Sequence, residues 1–66
     1  MPNEIYMPSA IKNEALRDEY YKVQDIMAAG YTRAMNKTTD NNKRAKLKHN
    51  FYTALNNAII YYASLS

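Results

Sequence analysis

The chain has no cysteine and no tryptophan, and only one glycine, two prolines and one histidine in 66 residues. Each shortage closes a route. Without cysteine there is neither a disulfide nor a thiolate metal site, two of the usual supports of a very short domain. The single histidine, His49, sits beside lysines, so no His or Cys cluster exists to hold a metal. No segment approaches the roughly 20 apolar residues of a membrane-spanning helix. The opening Met1-Pro2-Asn3-Glu4 lacks the basic region and apolar run of a signal peptide. There is no Gly-rich phosphate loop, and Ser9, Ser64 and Ser66 stand near the ends of the sequence, where no base would be held rigidly against them. These absences argue against an enzyme and leave no cofactor, metal or small-molecule substrate to expect. They point to a soluble protein of the cytoplasm or of a virion interior.

What is present is apolar surface. The apolar share, 47%, is too high for a disordered chain. A domain this short still buries only about 60% of the surface its unfolded chain exposes. Helix packing and association are the supports that remain. The abundance of Asn, Lys, Tyr and Ile would suit an AT-rich coding genome such as that of a phage.

The periodicity is helical throughout. Pro2 and Pro8 push the residues before them out of helical geometry, so residues 1–8 read as an extended arm, with Ile5, Tyr6 and Met7 either part of a frayed terminus or an apolar strap that docks on the bundle or a partner. Ser9 is a candidate N-cap. From about 10 to 36, Leu16, Tyr20, Val23, Met27, Gly30 and Ala34 recur at spacings of three and four, and Tyr31 and Met35 widen the stripe. Residues 37–41 form a polar turn in which Thr39 or Asp40 can cap a second helix. Apolar positions resume at Leu47, Phe51, Ala54, Leu55, Ala58, Ile59, Tyr62 and Leu65, giving a helix over about 41–64. The expected fold is all-α: an antiparallel helical hairpin over residues 9–66, completed as a bundle by a second copy or a partner.

Two small-residue pairs, Gly30/Ala34 and Ala54/Ala58, invite large neighbours, with Phe51 against Gly30 and Tyr20 against Ala58. Ala58-Ile59-Ile60-Tyr61-Tyr62-Ala63 is apolar round the whole helix, and such a helix must be covered on several sides. Ile59, Ile60, Tyr61 and Tyr62, joined by Tyr52 and Tyr21 off the main seams, are therefore the candidate protein interface. Tyrosine suits such a role because it buries area at low entropic cost.

Charge divides the chain. Residues 1–30 hold Lys12, Arg17 and Lys22 against Glu4, Glu14, Asp18, Glu19 and Asp25, a net of −2. Residues 31–66 hold Arg33, Lys37, Lys43, Arg44, Lys46 and Lys48 against Asp40, a net of +5. Glu14, Asp18 and Glu19 are expected to pair with Arg17 and Lys22 along one helix. The basic run opens the second helix, where the macrodipole disfavours positive charge. Something beyond that helix should offset it. An antiparallel second copy would bring each basic turn to an acidic neighbour. A Rop-like four-helix bundle has this layout, a likeness of architecture alone, without a shared residue motif. Nucleic acid is the alternative, with Lys37, Lys43, Arg44, Lys46 and Lys48 on phosphates, and a turn whose charges are simply solvated is the plainest reading. The sequence thus favours a non-enzymatic protein-binding module, an inhibitor, adaptor or minor assembly component, over a nucleic-acid-binding dimer.

Overall fold

Proline fixes φ near −65° and has no N–H to lose, so it suits the first position of a helical turn. In the computed structural model, which describes residues 7–66, Pro8 opens a 3-10 turn, Pro8–Ala10. Residues 1–6 of the expected arm lie outside the described residues, and Met7 is extended. The turn does not run on into a helix. Ile11 is extended (φ −82°, ψ 103°), which turns its side chain into the hairpin. The first long helix, α1 (Glu14–Lys37), begins only after Asn13. Asn13, not Ser9, is its N-cap, with the side-chain oxygen accepting from the Leu16 N–H at 3.1 Å. The start near residue 10 is thus corrected. Ser and Asn cap about equally well, and the choice falls to Asn13 because burying Ile11 requires non-helical backbone before it.

Thr38 ends α1 in extended geometry, and Asp40 caps the second helix, α2 (Asn41–Leu65), by accepting from the Asn42 N–H at 2.8 Å. The helices pack antiparallel. Tyr20 meets Tyr62 edge-on at 6.4 Å, and Tyr31 stacks on Phe51 at 4.4 Å with the rings 13° apart. Every residue of the α1 stripe from Leu16 to Ala34 faces this seam and is at least half-buried.

Arg44 closes the turn. Its guanidinium donates to the Met35 and Thr38 carbonyl oxygens, both at 2.8 Å. Met35 lies in the last turn of α1 and Thr38 is its C-cap, so the guanidinium sits at the negative end of the helix dipole. The offset that the sequence sought outside the second helix is, for Arg44, the end of the first one.

The core is small and lies at the open end of the hairpin. Ile11 (0% exposed), Tyr20 (1%) and Ile59 (3%) form it, ringed by Ala10, Leu16, Ala58, Tyr62 and Ala63. Burial, with Tyr21 a lesser cause, pushes the Tyr20 phenol above its ordinary value of 10.0. Two polar ties hold the segment bearing Ile11. The Arg17 guanidinium, expected to pair with a carboxylate on its own helix, donates to the Ile11 carbonyl at 3.1 Å. The Lys12 N–H donates to the Ser66 hydroxyl oxygen at 3.3 Å.

Ile11 is therefore a third wall of the core supplied from outside both helices. Ile11→Ala should destabilise the fold by about 3 kcal/mol, the range typical of emptying a fully buried aliphatic site. Urea unfolding followed by circular dichroism measures this. A loss below about 1 kcal/mol would mean that residues 7–12 do not close the open end.

Candidate protein interface

Towards the turn the packing changes character. The seam that is filled by Tyr20, Ile11 and Ile59 at one end opens at the other into a cleft of about 320 Å³. Met27, Gly30 and Ala34 line it from α1, and Leu47, Asn50 and Ala54 from α2, with the stacked Tyr31 and Phe51 rings between them. Gly30 has ordinary helical backbone, with no positive φ, so conformation does not call for a glycine there. A Cβ added at Gly30 would meet nothing within 4 Å. The expectation that Phe51 presses on Gly30 is corrected: Phe51 spends its face on Tyr31, and the space over Gly30 stays open. Tyr20 and Ala58 do come together, in the core cluster.

The cleft identifies which flanks of the helices share one broad face. Successive helical residues turn by about 100°, so Tyr61, seven beyond Ala54, returns to the Ala54 flank. On α1 the Gly30 flank carries Glu19, Val23, Ile26, Gly30, Arg33 and Lys37, at spacings of four, three, four, three and four. Ile26, 73% exposed, is the most exposed large apolar side chain among the described residues. The sequence reading missed it because it is a lone apolar residue off the main seam. The second, parallel stripe was the signal that could have found it.

The candidate interface residues divide. Tyr61 is exposed on the cleft face. Tyr21 and Tyr52, also exposed, fall by helical register on the opposite face, and Ile60 points outward from α2. Ile59 is different: it is buried in the chain's own core, so it is spent within the hairpin. Tyr62 is half-buried between Tyr20 and Tyr61. The exposed tyrosines are not loose, since each leans on an inner ring: Tyr21 on Tyr20 at 5.7 Å, Tyr52 on Phe51 at 5.3 Å and Tyr61 on Tyr62 at 5.3 Å. Met7 and Leu65 add exposed apolar area near the open end.

The basic residues do not form one patch. Arg44 is committed to the α1 carbonyls. Lys37, Lys43, Lys46 and Lys48 are exposed, but Lys46 and Lys48 lie about 200° apart around α2 and cannot grip one phosphate strand together. His49 is exposed. Among the described residues no group of three or more His, Cys, Asp or Glu could hold a metal ion, and no helix is long and apolar enough to cross a membrane.

Compared with known proteins, the chain matches no family model, no curated protein and no solved structure. The physical reading of the face stands on the residues themselves. Few residues are buried and many large apolar ones are exposed, which leaves surface for a partner or a second copy to cover.

With open space over Gly30, Gly30→Ala should stabilise the hairpin by about 1 kcal/mol, the helix-propensity difference. Denaturant unfolding of the dilute protein measures it. A destabilised variant would show that the space is filled.

Proposed function

We propose that this protein is a non-enzymatic binding module whose hairpin works by laying its open face on another protein surface, as an inhibitor, adaptor or minor assembly component. The observation that carries this reading is the cleft face. It combines a shallow apolar cleft beside Gly30 with exposed Ile26 and Tyr61 on the same side of the hairpin. Scattered exposed apolar residues are normal on any protein, whereas a contiguous patch with a hollow marks an interaction site. Phosphate contact would rest on exposed lysines that share no single stripe, so the apolar face outweighs it.

Sedimentation of the purified protein at micromolar concentration, with binding of an apolar dye measured in parallel, tests the proposal. Association, or a monomer that binds the dye, agrees with it. A well-folded monomer that binds no dye contradicts it.

A further inference from the structure

On the reading that the cleft face docks on protein, we infer that its occupant is a second copy of this chain, packed antiparallel so that Ile26 of each copy sits over Gly30 of the other. The pairs Tyr31–Phe51 and Tyr20–Tyr62 fix the level of one helix against the other, and both place Ala28 level with Ala54. Take a two-fold axis at that level, perpendicular to the helices and parallel to the plane of the hairpin, lying just outside the cleft face. It lays α1 over the partner's α1, with the two turns at opposite ends.

The cleft-side stripe of α1, in which Glu19, Ile26, Arg33 and Lys37 are exposed and Val23 and Gly30 half-buried, is self-complementary about this level. Nine residues to either side stand Glu19 and Lys37, five to either side Val23 and Arg33, and two to either side Ile26 and Gly30. The axis therefore sets each acid against a base, each Val23 beside the aliphatic stem of an arginine, and the most exposed isoleucine against the one residue with no side chain and open space above it. The same axis, with nothing further adjusted, acts on α2. It sets Ala54, a small residue, against its own copy at the centre, and Tyr61 against Leu47 at the far edge of the partner's cleft. Ile26 thus falls on the open space at Gly30, Tyr61 meets the apolar Leu47, and the small residues Gly30 and Ala54 sit near the centre of the contact.

Charge selects the same orientation. Among the described residues, Arg33, Lys37, Lys43, Arg44, Lys46 and Lys48 cluster with Asp40 in the turn half, while α2 carries no Asp, Glu, Lys or Arg beyond Lys48. Glu14, Asp18, Glu19 and Asp25 lie in the open half with Lys12, Arg17 and Lys22. A parallel pair would set turn against turn; the antiparallel pair sets each turn against an acidic half. The contact is isologous, so it closes as a dimer and builds no filament. The face is large enough, since the hairpin measures 39 × 26 × 13 Å and a stable interface takes about 800 Å² from each partner.

The test is sedimentation of the full chain and of three variants across the micromolar range. The wild type is expected to be a concentration-dependent dimer. Gly30→Leu fills the seat of Ile26 and should weaken the dimer by about ten- to a hundredfold, while circular dichroism keeps its helical signal, since the added side chain enters open space. Glu19→Lys should weaken the dimer a few-fold, and adding Lys37→Glu should restore it, a rescue that general damage to the fold would not give. A dimer indifferent to both Gly30→Leu and Glu19→Lys overturns the proposed register. A wild-type monomer that still binds apolar dye overturns self-docking and leaves the broader binding reading standing; a monomer that binds none overturns both.

Discussion

Two helices side by side make a single layer, and a single layer has one seam to bury. Domains ordinarily close a core between two layers. This hairpin, 13 Å through its thinnest dimension, has none to spare. The rest of the structure follows from that shortage. At the open end the chain improvises a third wall: the 3-10 turn folds Ile11 against Tyr20 and Ile59, and Arg17 and Ser66 hold the segment there. At the turn end nothing comparable is supplied, and the seam stays open as the Gly30 cleft. The filled end makes the hairpin a defined object. The unfilled end gives it a surface with a shape.

Electrostatics follows the same geometry. A tight hairpin places the negative end of one helix beside the positive end of the next, and Arg44 uses the first to offset the second by bonding the Met35 carbonyl of α1 and that of its C-cap Thr38. The lysines around it have no such use and remain in solvent. The positive turn and the acidic open half then act over the length of the molecule as an orienting field. Exposed pairs of this kind contribute about 0–1 kcal/mol each, enough to choose between parallel and antiparallel approach but too little to hold two chains together without the apolar face.

Much of the fold was legible in the sequence because burial imposes its period on residue choice. The stripe from Leu16 to Ala34 could face only one way, and Asp40 sits where a cap must be. Where α1 begins was not legible, since Ser9 and Asn13 are equivalent caps and only the docking of Ile11 decides between them. The destination of Arg44 was hidden for a similar reason: it depends on which helix end lies across the turn. Within Ala58–Ala63 the sequence carries no phase, because every position is apolar, so Ile59 and Ile60 looked alike although one is core and the other surface. The cleft depends on the distance between helices, which no linear pattern records, and Ile26 acquires meaning only beside the open space at Gly30.

On the proposed reading the hairpin completes itself by having its open face covered, and a second copy covers it. If two copies fold as one unit, mass action couples their stability to concentration. The direct measurement is the thermal midpoint of the wild-type protein by circular dichroism, at concentrations spanning about 1 to 100 µM. The midpoint is expected to rise steadily with concentration. A midpoint that stays constant over that range, with a cooperative transition, would contradict that reading.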